Sequence, residues 1–240
     1  MNQILVTQKL YVTPELKKKK KFYKIHFIIS VFLIIALGIV YVYAAYDRDR
    51  SEAVSQEVLS GIKMGDSTTV DDSILVAYLD GRPNTEEEQT NQDQTRQRQE
   101  QNQVVTTSDG ESYSAVATVN IPSLNLSYPV LSETSDSLLK ISPCKFWGPN
   151  PNEVGNFCIV GHNYRNSKFF SKVPNLDMGE IIELTDMSGR TLRYKIYDKY
   201  TVDPTDVKCT SQLTSGKKEV TLITCTDDSK QRVVVKATQA

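Results

Sequence analysis

The chain reads TLITCTDDSKQRVVVKA from Thr221 to Ala237, and this stretch decides how the fold is interpreted. Apolar and β-branched residues fill both of its ends, and a polar connection from Thr226 to Gln231 separates them. This pattern is typical of two β-strands joined by a tight turn. Cys225 ends the first strand and Arg232 begins the second, so the predicted hairpin brings these two residues beside each other.

Short runs of β-forming residues, punctuated by Pro, Gly and Asn, continue this pattern upstream. The predicted strands lie at residues 114–121, 126–131, 156–162, 180–186, 191–202, 218–225 and 232–238. Only residues 135–141 and 166–173 have helical character. Many short strands with little helix predict an all-β domain, either a closed antiparallel barrel or a sandwich.

An apolar run near the N-terminus predicts a membrane span. Residues 27–45 carry no charge, and as a helix they would extend roughly 28 Å, close to the thickness of a hydrocarbon core. Tyr41, Tyr43 and Tyr46 resemble an interfacial aromatic belt. A cleaved signal peptide is the alternative, because a basic region precedes the apolar run. The length of the run favours a transmembrane signal-anchor helix at residues 27–46.

The charge distribution predicts the orientation of this anchor. Residues 1–26 contain seven lysines and one acidic residue, whereas the remainder of the chain is acidic. By the positive-inside rule, residues 1–26 stay in the cytoplasm and the C-terminal part lies on the extracellular face of the cell membrane. An acidic exported part argues against a nucleic-acid partner.

A polar segment separates the anchor from the β-rich region. Residues 82–110 are rich in Gln, Glu, Asn and Thr and contain few large apolar side chains, so they cannot bury enough surface to offset the entropy of ordering. We therefore predict a largely disordered extracellular linker at residues 47–111, followed by a folded domain at residues 112–240. Within the linker, residues 51–65 have the pattern of a short amphipathic helix, and residues 73–81 hold a brief apolar run.

The four cysteines differ in what their surroundings suggest. They are Cys144, Cys158, Cys209 and Cys225, and their spacing shows neither a CxxC motif nor a compact disulfide framework. The close ligand pairs of a structural zinc site are missing as well. Cys158 lies in an apolar strand and is expected to face the core. Cys225 is either a buried core residue, the ordinary state of a free cysteine, or a nucleophile.

Two other residues favour the nucleophile. A cysteine nucleophile needs a nearby base or cation, and His162 is the only histidine outside the membrane region, since His26 lies at the cytoplasmic edge of the span. Arg232 offers fixed guanidinium donors to a carbonyl oxygen that becomes negative on attack. Cys225, His162 and Arg232 are therefore the candidate catalytic residues.

The combination of TLITC, an upstream VGHN and an arginine at the start of the next strand resembles the sortase family. The resemblance runs from about Tyr113 to Ala240. It implies a closed eight-stranded β-barrel with one or two short helices. It also implies that Cys225 is the nucleophile, that His162 donates and accepts protons, and that Arg232 holds the substrate carbonyl. Thr224 would line the substrate site.

The resemblance implies a cysteine transpeptidase of Gram-positive cell surfaces. Such an enzyme cleaves an LPXTG-like sorting motif in surface proteins, keeps the acyl fragment as a thioester, and transfers it to an amine of a peptidoglycan precursor or a pilin. An exported thiol protease, in which water accepts the acyl group, is one alternative. A non-catalytic barrel that binds wall peptides is another.

The same resemblance leaves two points open. No cofactor or metal is expected, but Asp227 and Asp228 leave calcium undecided, because adjacent carboxylates usually form a solvated turn. The class is uncertain too: the sequence GHN followed by Tyr164 and Arg165 resembles class B-like enzymes, whereas the short connection between Cys225 and Arg232 resembles other classes. The lack of a recognisable lid segment with Asp-Pro before the domain disfavours a pilin-polymerising type.

Overall fold

The computed structural model describes residues 14–63 and 102–240. The chain divides into two compact units, Met1–Asp49 and Arg50–Ala240. Helix α1 spans Pro14–Gly61, and its apolar part lies in the first unit. In the described part of the chain, this helix is long and apolar enough to cross a membrane, since the mean hydropathy of an 18-residue window within it is 2.7. A signal sequence near the N-terminus would share both properties.

Within residues 102–240, the second unit has nine β-strands and one short α-helix, and the end of α1 also belongs to this unit. The strands are β1 Gln103–Thr106, β2 Ser112–Ile121, β3 Leu126–Leu131, β4 Cys144–Trp147, β5 Gly155–Val160, β6 Ile181–Asp186, β7 Thr191–Val202, β8 Lys218–Cys225 and β9 Arg232–Gln239. Helix α2 spans Asp136–Ile141, and its N-cap Ser135 accepts a hydrogen bond from Leu138 N. Single-turn 3-10 helices lie at Pro122–Leu124, Val173–Asn175 and Lys208–Thr210.

Eight of these strands close into a barrel. The strand order is β1-β2-β3-β4-β5-β8-β9-β7-β6, and β6 pairs back onto β2. Strand β1 pairs with the first residues of β2, before the part of β2 that β6 occupies. The closed eight-stranded barrel that the resemblance implies is therefore confirmed, with β1 as an additional strand at its seam. The barrel is not the wholly antiparallel one that the strand pattern predicted, because the pairs β3–β4 and β5–β8 are parallel.

The barrel interior is an apolar core to which almost every strand contributes. Its fully buried members include Val119, Ile159, Leu184, Leu222, Val235 and Ala237. Strands β5 and β8 are buried on both faces, because Cys158 and Ile223 pack outside the barrel against Cys209 and Val234. Parallel strands that are buried on both faces have nearly continuous apolar sequences, and the runs NFCIV in β5 and TLIT in β8 follow this pattern.

The structure differs from the sequence prediction at residues 166–173, which form bends and turns instead of a helix. Phe169 adopts a left-handed backbone with φ 50° and forms an isolated bridge with Asn163. Phe169 and Phe170 are both fully buried. The prediction was wrong because these apolar residues anchor a loop to the core, where their burial outweighs local helix preference.

The stretch predicted as a linker is ordered at both of its described ends. Val54 and Val58 lie four residues apart near the end of α1, so they share one helix face, and Ile62 follows directly after the helix. These side chains are buried, and Val58 and Ile62 join a cluster with Val105 and Leu131. The folded unit thus begins well before residue 112. The apolar run at residues 73–81 lies outside the described residues.

Candidate active site

A parallel strand pair brings His162 and Cys225 to the same edge of the barrel. Strands β5 and β8 are in parallel register up to Val160 and Ile223, and Gly161 N continues the ladder by donating to Ile223 O at 3.1 Å. Because parallel strands run the same way, their carboxyl ends emerge side by side. His162 follows Gly161 there, and Cys225 is the last residue of β8.

An antiparallel pair adds Arg232 to this edge. Strands β8 and β9 form a hairpin in which Cys225 and Arg232 are direct register partners. Thr226 N donates to Gln231 O at 3.0 Å, and the Thr226 hydroxyl donates to Asp228, so the connecting turn is tightly closed. The structure therefore brings the three candidate catalytic residues together at adjacent ends of β5, β8 and β9.

The surroundings of His162 favour a neutral imidazole. The side chain is half-buried, and its ring centroid lies 5.1 Å from that of Tyr164. Burial lowers the pKa of His162 below its ordinary value, an effect that the Asp136 carboxylate opposes and the Lys140 ammonium reinforces. A histidine that is neutral near pH 7 is available to accept a proton from a thiol or an amine.

Comparison with known proteins identifies the family of this chain. The sortase domain family matches residues 119–240, a region that contains all three residues. The chain belongs to the sortase family. Sortase A of Bacillus anthracis is 29% identical over 123 residues, and the match covers 50% of this chain and 57% of that protein. A Clostridium perfringens Sortase D5 transpeptidase shares the fold, with 24% identity and a TM-score of 0.51, over 62% of this chain and 88% of that one.

The glycine before the histidine lets this sortase pack an aromatic ring directly under its site. A Cβ atom at Gly161 would lie 2.7 Å from the Phe170 ring, closer than real contacts allow. Phe170 N also donates to His162 O at 3.1 Å. Glycine at position 161 therefore allows the Phe170 ring to pack against the chain, and Phe170 in turn holds the backbone of His162 by a hydrogen bond.

Thr224 is the residue that the resemblance implies as part of the substrate-site lining. Its side chain is buried, with 1% exposure, and its hydroxyl donates to Gly161 O at 2.8 Å. The hydroxyl thus connects the end of β8 to Gly161, the residue before His162. In this sortase, Thr224 positions the two strand ends relative to each other.

Asn163 connects the same two segments from the other side, and the sequence reasoning missed this role. Its Nδ2 donates to Cys225 O at 2.9 Å and to Asp227 Oδ1 at 3.0 Å. Arg165 Nη2 adds a bond to Ser229 Oγ at 3.0 Å. The sequence offered one indication of this role: an asparagine directly after the histidine, a residue type whose side chain commonly forms hydrogen bonds with backbone groups in loops.

The paired acids Asp227 and Asp228 lie in the β8–β9 turn. Asp227 accepts from Asn163, and Asp228 accepts from Lys230 N and the Thr226 hydroxyl. Within residues 14–63 and 102–240, no group of three or more His, Cys, Asp and Glu side chains is arranged to hold a metal ion. The contacts of this pair are those of a closed turn.

The remaining cysteines are buried free thiols. Cys144, Cys158 and Cys209 are at most 5% exposed. Cys158 is buried as the sequence predicts, but it lies in the apolar cluster outside the barrel and not in the barrel interior. Burial raises the pKa of Cys144 and of Cys158 to about 12, and it also raises the pKa of Cys209. Cys225 is partly exposed, so it is the accessible thiol of the folded domain.

Proposed function

We propose that this sortase is a membrane-anchored cysteine transpeptidase with Cys225 as nucleophile, His162 as proton donor and acceptor, and Arg232 as the donor to the substrate carbonyl. The observation that carries the proposal is the register of three strands. It sets a partly exposed thiol beside both a histidine and an arginine at one barrel edge. This combination supplies a nucleophile, a base and an oxyanion donor.

In the first half of the reaction, His162 takes the proton of the Cys225 thiol, and the sulfur attacks the carbonyl carbon of a peptide bond in a sorting motif of the LPXTG type. The carbonyl oxygen becomes negative, and the Arg232 guanidinium donates hydrogen bonds to it. When the C–N bond breaks, the leaving amine takes a proton from His162. The acyl fragment remains on Cys225 as a thioester.

In the second half, an incoming amine attacks the thioester carbonyl, and His162 takes a proton from this amine. The C–S bond breaks, a new amide forms, and the proton on His162 returns to the Cys225 sulfur. An amine on a peptidoglycan precursor is the acceptor that a cell-surface enzyme of this family would use. Water in place of the amine would make the same site a thiol protease.

The N-terminal helix supports placement at the cell membrane. Its apolar side chains between residues 27 and 43 are exposed on every side, which is favourable in lipid and costly in water. The lysine-rich segment before it would remain in the cytoplasm, so that the catalytic domain lies on the extracellular face. Surface proteins that carry a sorting motif would reach the site there.

Mass spectrometry of the reaction tests this proposal directly. The protein is incubated with a library of sorting-motif peptides and a set of amine acceptors, and the products are identified by mass. We expect an acyl adduct on Cys225 and a new amide that forms only with an amine present. Hydrolysis at the same rate with and without amines would favour the protease. Turnover by the Cys225→Ala variant would contradict the assignment of the nucleophile.

A further inference from the structure

We propose that Glu52, in the last turns of α1, is a positioning residue for His162, and that it acts through Tyr128 and the loop at residues 163–171. This inference rests on the proposed function, because it assigns a role to residues around the same histidine. It extends the site to a helix that precedes the barrel in sequence and lies outside the segment matched by the sortase domain family.

The first link is a buried tyrosine that bonds to the helix and to the loop at once. Tyr128 Oη donates to Glu52 Oε1 at 3.1 Å and accepts from Phe169 N at 3.0 Å. Tyr128 is 4% exposed, and burial is the main reason that its pKa is raised to about 12. The hydroxyl therefore stays protonated over the working pH range and needs an acceptor, which Glu52 provides.

The second link is the loop residue that this tyrosine holds. Phe169 has a left-handed backbone, which is unfavourable for a bulky residue and persists only where the surroundings stabilise it. Its amide bonds to Tyr128, and its ring stacks on the Tyr128 ring with centroids 5.2 Å apart and planes at 16°. The conformation of the loop at this point therefore depends on Tyr128.

The third link leads from Phe169 to the imidazole. The Phe169 ring meets Tyr164 edge to face at 5.5 Å, and the Tyr164 ring lies 5.1 Å from His162. These contacts form a continuous packed series from a carboxylate on α1 to the proposed acid and base. A shift of Phe169 would change the packing that partly buries His162.

Glu52 also binds the loop by a second route. Its other oxygen, Oε2, lies 2.8 Å from Lys168 Nζ, the residue before Phe169. Glu52 itself is fixed because the helix around it is docked, with Val54 and Val58 buried and Ser55 Oγ donating to Ser142 Oγ at 3.1 Å. One carboxylate thus connects a fixed helix to two consecutive residues of the histidine loop.

The experiment compares Glu52 with a glutamate on the same helix that faces elsewhere. Glu57 accepts from Ser108 N and Ser108 Oγ in the β1–β2 turn. Variants Glu52→Ala, Glu52→Gln and Glu57→Ala of the full chain are assayed in detergent micelles on one sorting peptide with one amine.

We expect Glu52→Ala to lower kcat about tenfold with KM changed less than twofold, since small displacements of catalytic groups have large effects on rate. Glu52→Gln, which keeps an acceptor for Tyr128, should recover most of the loss. Glu57→Ala should stay within twofold of the unmodified protein.

Equal losses in Glu52→Ala and Glu57→Ala would overturn the proposal, because helix docking in general would then explain both. An unchanged kcat in Glu52→Ala would overturn it as well.

A spectroscopic readout separates this inference from the proposed function. The chain has two histidines, so the His162 ring resonances are assigned by comparison with His162→Gln and then titrated by NMR. The charged groups that act on His162, Asp136 and Lys140 of α2, are the same in every variant. We expect the pKa of His162 to rise in Glu52→Ala, because a looser loop buries the ring less, and to stay unchanged in Glu57→Ala.

A protein without transpeptidase activity would refute the proposed function, yet this titration would still decide the positioning role. An identical His162 titration in Glu52→Ala would refute that role.

Discussion

Cys225 and Arg232 are opposite each other across the β8–β9 hairpin, as the last residue of one strand and the first residue of the next. Their backbone separation is fixed by the strand ladder and by the closed turn at residues 226–231. Arg232 is also paired across its other side, with Val202 of β7. The arginine therefore starts from a backbone that is fixed on both sides, which is the preorganisation that an oxyanion donor requires.

This placement predicts that the planar fork of Arg232 matters more than its charge. We expect Arg232→Lys and Arg232→Ala both to lower kcat/KM roughly 10²- to 10³-fold, the usual effect of losing an oxyanion donor. The measurement is kcat/KM on one sorting peptide, with folding checked by circular dichroism. Arg193→Lys is the matched control, since Arg193 is an exposed arginine paired with Glu183 on the barrel surface. Variants of Arg232 within about threefold of the unmodified protein would remove it from the site.

The burial of three cysteines predicts a single reactive thiol in the folded protein. We expect a thiol reagent such as DTNB to modify one cysteine rapidly at pH 7.5, identified as Cys225 by peptide mapping. The other three should react only after denaturation, because burial both blocks access and raises the pKa of each. The Cys225→Ala variant provides the control, with no rapid phase. Fast labelling of Cys144, Cys158 or Cys209 in the folded state would contradict this expectation.

The buried hydroxyl of Thr224 should affect positioning more than substrate binding. Thr224→Val keeps the shape of the side chain but leaves the Gly161 carbonyl without this donor, at a cost of about 1–3 kcal/mol in the free energy of unfolding. We expect kcat to fall while KM remains nearly constant. Thr224→Ser keeps the hydroxyl and should retain more activity than Thr224→Val. A large rise in KM for Thr224→Val would instead support direct substrate contact.

The lowered pKa of His162 predicts how stability depends on pH. The unfolded chain protonates His162 near its ordinary value of 6.5, whereas the folded protein protonates it only at lower pH. The unfolded state thus binds more protons in this window, so stability falls as the pH drops through 6.5. We expect His162→Gln to lose less stability between pH 7.5 and 5.5, measured by urea denaturation of residues 50–240. Parallel pH profiles for the two proteins would exclude such a contribution.

The packing of the end of α1 predicts that this segment stabilises the barrel. Val58 is fully buried, so Val58→Ala should lower the free energy of unfolding by about 2 kcal/mol and the melting temperature by roughly 4–8 °C. Ala53→Ser, at an exposed position of the same helix, should have little effect. A chain that starts at residue 112 should also be less stable than one that starts at Arg50. Equal melting temperatures for these two chains would show that the helix contributes nothing.

The parts of the fold that the sequence predicts are those with a strong local pattern. Strands β2, β3 and β5–β9 coincide with runs of β-branched and aromatic residues bounded by turn residues. Strands β1 and β4 have four residues each and no clear alternation, so only their partners in the barrel identify them. The end of α1 was underestimated for the same reason: its apolar face is short and is stabilised by contacts with the distant residues Val105 and Leu131.

In the candidate site, too, some residues are predictable from the local sequence and others depend on distant contacts. Cysteine, histidine and arginine are recognisable by their chemistry and by their positions at strand ends, so the sequence alone groups them. The residues that orient them are ordinary polar types whose roles depend on which backbone atoms lie nearby. Asn163 and Glu52 are examples, since both act on groups far away in sequence and neither belongs to a chemical type that stands out.

The parallel pairing of β5 and β8 fixes the positions of the proposed catalytic residues independently of the more distant loops that would contact a substrate. The spacing of His162 and Cys225 is determined by the barrel wall, whose register extends over six residue pairs. The chain outside the histidine loop and the β8–β9 turn is not constrained by that register and can change in length and composition. Homologous enzymes could therefore acquire different substrates by altering the loops around residues 174–180 and 203–217, while the reacting atoms keep their distances. A barrel of this kind is suited to diversification, and loop exchange between relatives is a rational route to altered specificity.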